Sequence, residues 1–94
     1  MKTKQVREAI LMKPTIHLNG TGREELLKQA TDAVNALGEA IGYLQAAMPH
    51  ARDYYVQGNT VYSAAREEHG KRIAKLKEVL DELIELQIHI VDAE

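Results

Sequence analysis

The sequence contains no cysteine, phenylalanine or tryptophan. The absence of cysteine excludes disulfide bonds, thiolate zinc sites and a cysteine nucleophile. Without Phe and Trp, the core has to be built from Leu, Ile, Val, Ala and four tyrosines, a set that suits narrow helix-on-helix packing better than a thick sandwich. No apolar run approaches the roughly 18 residues of a membrane span, and the N-terminus lacks the apolar segment of a signal peptide. We therefore expect a cytoplasmic protein without membrane association.

The charge is nearly balanced, with 12 Lys and Arg against 14 Asp and Glu. The strongly basic balance of proteins that bind duplex nucleic acid is absent, so we expect no such partner. Residues 1–20 are nevertheless basic and residues 78–94 acidic, which predicts that this basic arm meets an acidic surface, its own or a partner's. Within the arm, residues 5–13 fit either a short helix or a strand, Pro14 ends either one, and residues 15–18 read as extended.

Two long stretches carry apolar residues at alternating spacings of three and four, the period of an amphipathic helix. The seam of the first consists of Leu27, Ala30, Val34, Leu37, Ile41, Leu44 and Met48. The stripe of the second consists of His69, Ile73, Leu76, Leu80, Leu83 and Ile90, widened by Val79, Ile84 and Leu86. We predict an all-α fold, a long antiparallel helical hairpin with helices at about 22–48 and 60–90, in one domain at 16–94 that follows a basic N-terminal arm at 1–15.

Local signals mark the limits of the first helix. Thr21 is placed to act as its N-cap, with Glu24 completing a capping box, and Pro49 closes its other end. Residues 50–59 break the helical period and predict a loop of about ten residues, longer than most helix-to-helix connections. Long ordered loops of this kind are more often functional than idle.

Two features predict contacts beyond the hairpin. The second helix shows more apolar surface than one partner helix covers, so we expect assembly into a helical-bundle homo-oligomer. Gly38 and Gly42 lie one helical turn apart, and each glycine costs about 1 kcal/mol in a helix interior. They indicate a close crossing by another helix or by the arm, or space for a ligand.

The first candidate binding segment is HLNGTGR, residues 17–23. Glycines at a helix start allow close backbone approach, and the free amide groups and dipole of the first turn favour an anion. Arg23 adds a fork of donors suited to phosphate or carboxylate, with His17, Asn19 and Thr21 as orienting hydrogen-bond partners. The alternative is that Asn19 belongs to an ordinary turn and Thr21 is only a cap.

The second candidate segment is RDYY, residues 52–55. The aromatic faces of Tyr54 and Tyr55 beside the guanidinium of Arg52 suit a planar, charged ligand such as a nucleotide. The alternative is that one tyrosine fills the end of the hairpin and Arg52 pairs with an acid nearby. At 1.5 Å rise per residue the two candidate segments lie about 40 Å apart, so only two antiparallel copies could join them in one pocket.

The four histidines, His17, His50, His69 and His89, show no metal-ligand spacing. We expect structural roles or chance surface positions for them, with His69 on the inner stripe of the second helix. No Ser/His/Asp arrangement or suitably placed carboxylate pair is present, because almost every acid lies on a regular helix face. The sequence therefore predicts neither an enzyme nor a metal or cofactor site.

Three motifs carry a resemblance to a known group of proteins. HLNGTGREELL at 17–27 and ARDYYVQG at 51–58 are followed by a helix ending in LQIHI at 86–90. Together they resemble small helical proteins encoded by bacteriophages and prophages, over about residues 16–91. The resemblance implies a phage accessory protein acting in the cytoplasm of the host cell.

In size and plan the sequence is also similar to the small helical phage sponges of the anti-CBASS and anti-Thoeris kinds. Those proteins oligomerise and sequester cyclic nucleotide or cyclic ADP-ribose signals of host immunity. This likeness, with the arginine and tyrosine segments, predicts a non-enzymatic protein that sequesters a small phosphate-bearing ligand. The alternative is a coiled-coil adaptor that binds a host or phage protein through its second helix and takes no small ligand.

Overall fold

A computed structural model of the chain describes residues 11–93, and in this part of the chain all regular structure is helical. Helix α1 spans Arg23–Ala46 and helix α2 spans Val61–Asp92. Two single-turn 3-10 helices, Ala51–Asp53 and Tyr55–Gln57, lie between them. The prediction of an all-α fold with two long helices is confirmed for this part of the chain.

The two helices lie antiparallel, because their contacts join the start of one to the end of the other. The Arg23 guanidinium donates to the backbone carbonyl of Ala93. Further along, the Gln87 side-chain amide donates to the Thr31 hydroxyl at 2.9 Å. The result is a long hairpin with principal extents of 62 × 28 × 16 Å.

The limits of α1 differ from the prediction. The N-cap is Gly22, in extended conformation with no side-chain capping bond, so the predicted Thr21 capping box is wrong. Gly22 has no side chain that could cap the helix, and its own carbonyl accepts the first intrahelical bond, from Leu26. At the other end α1 stops at Ala46, two residues before the predicted limit.

The core of the hairpin is thin. All seven residues of the predicted α1 seam are at least partly shielded from solvent, and Ile41 is the most buried at 6% exposure. On α2 the stripe is confirmed by the burial of His69, Ile73 and Ile90, whereas Val79 at its edge is 45% exposed. Each helix packs against one other helix in the chain, so few side chains are enclosed between them.

The connection between the helices covers residues 47–60, longer than the predicted loop at 50–59. Its two 3-10 turns are closed by backbone bonds such as that from the Asp53 N–H to the His50 carbonyl, at 3.0 Å. Gly58 follows them with φ of +117°, a conformation that L side chains rarely adopt. This glycine lets the chain reverse direction into α2.

The described part of the arm lies along α2 without helix or strand. The Lys13 ammonium is 3.1 Å from the Glu85 carboxylate, and the His89 ring donates to the Pro14 carbonyl at 2.7 Å. The described end of the basic arm, residues 11–15, therefore meets the acidic surface of its own chain. The predicted helix or strand at 5–13 lies outside the described residues, except for residues 11–13, which have no regular structure.

Gly38 and Gly42 face open space. A Cβ atom built on either glycine meets no other atom within 4 Å. Among residues 11–93, neither α2 nor the arm makes the predicted close crossing at these positions. Over residues 11–93, neither helix has a stretch of the length and apolarity needed to cross a membrane.

Candidate ligand-binding surface at the loop end

The loop end of the hairpin carries a cluster of tyrosines and arginines, which we call the loop-end surface: Arg52, Tyr54, Tyr55, Tyr62 and Arg66. The connection supplies the first three residues, and the first turns of α2 supply the other two. The structure joins Tyr54 of the predicted segment 52–55 to Tyr62 and Arg66, two residues that the sequence interpretation missed.

Tyr54 is the anchor of the loop-end surface. Its ring lies 6.5 Å from the ring of Tyr62, centroid to centroid, at an interplanar angle of 43°. Both residues are partly buried. A tilted pair at this distance is a favourable arrangement of two aromatic rings, so it holds the connection against the start of α2.

Arg66 extends the cluster along α2. Its guanidinium carbon lies 5.8 Å from the centroid of the Tyr62 ring, within the range of a cation–π contact. The two residues are four positions apart on one helix, the spacing at which side chains meet. The tyrosine ring thus positions a positive charge next to the loop.

The remaining two residues of the surface face solvent. Tyr55 is 73% exposed and Arg52 is exposed beside it. Within residues 11–93, neither Arg52 nor Arg66 forms an ion pair. The nearby Glu67 and Glu68 carboxylates pair instead with Lys71 and Arg72, one turn further along α2, each at 3.8 Å. Two guanidinium groups and one exposed tyrosine ring are thus open to a ligand.

The other candidate segment lies at the opposite end of the hairpin, as its sequence separation predicts. There the Gly20 N–H donates to the His17 carbonyl at 3.1 Å, which closes a turn containing Asn19. His17, Asn19 and Thr21 are exposed. The His17 ring folds over Gly20, where an added Cβ would lie 2.7 Å from its Nε2 atom.

Arg23 has a structural role at this end, because its guanidinium binds the Ala93 carbonyl. It shares an open depression with Gly22, Glu24, Glu25 and Lys28. The Glu24 and Glu25 carboxylates are stabilised by the positive end of the α1 dipole, and their negative charges repel a phosphate group. Lys28 is engaged as well: its hydrogen bond to Asp32, together with the charge of that residue, raises the pKa of the lysine. One copy alone therefore offers a phosphate less at this end than at the loop end.

Two histidines serve the fold. His69 is buried on α2 and contacts the Leu44 carbonyl and Arg72, and His89 holds the arm through Pro14. In the part of the chain that the structure describes, no group of three or more His, Cys, Asp or Glu side chains is arranged to hold a metal ion.

Comparison with models of protein families, with curated proteins and with solved structures finds no match to this chain. The resemblance to phage-encoded helical proteins stays an interpretation of the three sequence motifs. The loop-end surface and the exposed apolar side chains of α2 are the features that bear on function.

Proposed function

We propose that the protein is a non-enzymatic phage accessory protein that binds and sequesters a small phosphate-bearing ligand. The ligand class is a cyclic nucleotide or cyclic ADP-ribose signal of host immunity, met in the cytoplasm of the host cell. The observation that supports this proposal is the loop-end surface, where two arginines that form no ion pair within residues 11–93 accompany two half-buried tyrosines and the exposed Tyr55.

The chemistry of the loop-end surface fits a nucleotide. Arg52 and Arg66 offer planar forks of donors, which match the oxygens of a phosphate group. Tyr55 offers an exposed ring face for stacking a base. Its neighbour Tyr54 is held in place by the contact with Tyr62. A surface of this kind binds by stacking and charge, with no need of a catalytic group.

The turn end of the hairpin supplies the second half of the proposed pocket in a homo-oligomer. His17, Asn19 and Thr21 are exposed there and can orient a ligand by hydrogen bonds. Arg23 would have to exchange the Ala93 carbonyl for a phosphate oxygen. Because the two ends lie at opposite ends of a hairpin 62 Å long, this half has to come from a second copy.

Calorimetry with cyclic dinucleotides and cyclic ADP-ribose isomers tests the proposal. The wild-type protein should bind at least one of them, and Arg52→Ala should weaken that binding at least about tenfold, since it removes a charge-assisted contact. Arg72→Ala is a control on α2, because Arg72 is occupied by Glu68 and His69. Absence of binding to every compound contradicts the proposal.

A second candidate function is a coiled-coil adaptor that docks on a host or phage protein through α2. The observation that favours it is the exposure of Ile88 and Val91, at 56% and 55%. Substitution separates the two functions. Arg52→Ala should abolish activity in the cell if a nucleotide is the target, and should leave it unchanged if a protein docks on α2.

A further inference from the structure

The carboxyl-terminal half of α2 has an apolar groove beside it that the hairpin leaves open. Leu27 and Thr31 of α1 form one wall, and Gln87, Ile88 and Val91 of α2 form the other. Ile88 and Val91 are more than half exposed there. The described residues of the arm do not line the groove, because Lys13 and Pro14 pack on Glu85 and His89.

The charge of α2 is divided between its two halves. Residues 61–77 hold five Lys and Arg against two Glu, whereas residues 78–92 hold five Asp and Glu with no Lys or Arg. The groove therefore lies in the acidic half of the helix. A partner that covers the groove and continues along α2 has to present positive charge to the acidic half and negative charge to the basic half.

We infer that a second copy of this chain covers the groove, with its α2 antiparallel to the first. In that orientation the acidic half of each α2 faces the basic half of the other, so the charge pattern is self-complementary about a two-fold axis. A parallel pair would place like charges opposite each other.

The inferred dimer completes the ligand pocket of the proposed function. Only the use of its paired ends as a ligand pocket rests on that function. Antiparallel packing brings the turn end of each copy to the loop-end surface of the other. Arg23 of one chain and Tyr55 of its partner then belong to one site at each end of the dimer. The self-association itself requires no ligand and can be measured separately.

Native mass spectrometry and sedimentation equilibrium of the full chain test the association. The wild-type protein should be dimeric, and Ile88→Glu should raise the dimer dissociation constant at least about tenfold by placing a charge in the groove. Val79→Glu is the matched control, because Val79 is 45% exposed on the opposite flank of α2. A monomeric wild-type protein, or equal weakening by both variants, would overturn the inference. Circular dichroism checks that both variants remain helical.

The orientation is tested by spin labels, which the cysteine-free chain accepts at single chosen sites. Ser63→Cys places labels near the loop end, and an antiparallel dimer centred near Lys77 should separate them by about 40 Å, from 1.5 Å per residue. Lys77→Cys should give a short separation. A short separation at position 63 means a parallel pair and overturns the inference.

Ligand calorimetry on the same proteins distinguishes failure of the dimer from failure of the proposed function. A dimeric wild-type protein that binds no cyclic nucleotide keeps the inferred interface and refutes the ligand proposal. If the wild-type protein is monomeric and binds a cyclic nucleotide, the inferred interface is refuted and the ligand site lies within one chain, at the loop-end surface. If both proposals hold, Ile88→Glu lowers ligand affinity while Val79→Glu does not.

Discussion

The His69 side chain of α2 lies 2.5 Å from the backbone carbonyl of Leu44, in the last turn of α1. Its Nδ1 atom accepts from Arg72 at 3.3 Å, so the ring proton is on Nε2 and is donated to Leu44. The Leu44 carbonyl also accepts from the Ala47 N–H at 3.1 Å, in the turn that ends α1. His69, only 7% exposed, thus adds a second donor to this carbonyl and joins the two helices near the loop.

Replacing His69 should destabilise the hairpin. His69→Ala removes a buried hydrogen bond and leaves a small cavity, so we expect a loss of about 2 kcal/mol in the free energy of unfolding. Urea unfolding followed by circular dichroism measures it. His50→Ala is the matched control, since His50 is exposed in the connection and should change stability by less than about 0.5 kcal/mol. Equal stability of the two variants would show that His69 does not couple the helices.

Gly58 should not tolerate a side chain. Its φ of +117° is costly for other residues, so Gly58→Ala should lower stability by about 1–3 kcal/mol. Gly70→Ala, inside α2 where an added Cβ meets nothing within 4 Å, should instead raise it by up to about 1 kcal/mol. Thermal unfolding of the two variants gives the comparison, and a stabilised Gly58→Ala protein would contradict the described turn.

Gly42→Ala should also stabilise the chain. The glycine lies in the interior of α1 and an added Cβ meets open space, so the gain is the helix propensity of alanine, about 1 kcal/mol. Chemical unfolding at low protein concentration measures this gain in the single chain. A loss of stability would mean that something packs on this face of α1, as the sequence interpretation expected.

The arm should loosen when its attachment to α2 is removed. His89→Ala deletes the donor to the Pro14 carbonyl, so the backbone of residues 15–18 should become more mobile while that of α1 stays unchanged, as measured by the heteronuclear NOE of the amide nitrogens. Lys28→Gln is the control, because it breaks an exposed ion pair within α1 and does not touch the arm. An unchanged NOE in residues 15–18 after His89→Ala would mean that Lys13 and Glu85 suffice to hold this segment.

Apolar periodicity predicts the hairpin well because burial of one stripe determines how each helix packs. The seam residue Ile41 and the stripe residues His69 and Ile73 are buried as predicted. The start of α1 could not be read in the same way, since Thr21 and Gly22 both suit an N-cap position and backbone geometry decides between them. The glycine pair does not mark a crossing within residues 11–93, because glycine allows a close approach without requiring one.

The sequence located the loop-end surface only in part. Arg52, Tyr54 and Tyr55 stand next to each other in the chain, so their proximity was visible. Tyr62 and Arg66 join them only because the connection folds back on the first turns of α2. Their spacing of four residues was a usable signal, although it does not say which end of the hairpin the pair faces.

The most direct test of the proposed function maps the amide chemical shifts of the labelled protein during titration with a cyclic dinucleotide and with cyclic ADP-ribose. We expect one of these ligands to shift the amides of residues 51–66 first. Tyr55→Ala should weaken ligand binding at least about tenfold, whereas Tyr43→Ala, at a tyrosine with a similar exposure of 71%, should not. A spectrum unchanged by every ligand, or shifts confined to the carboxyl-terminal half of α2, would contradict the proposed function.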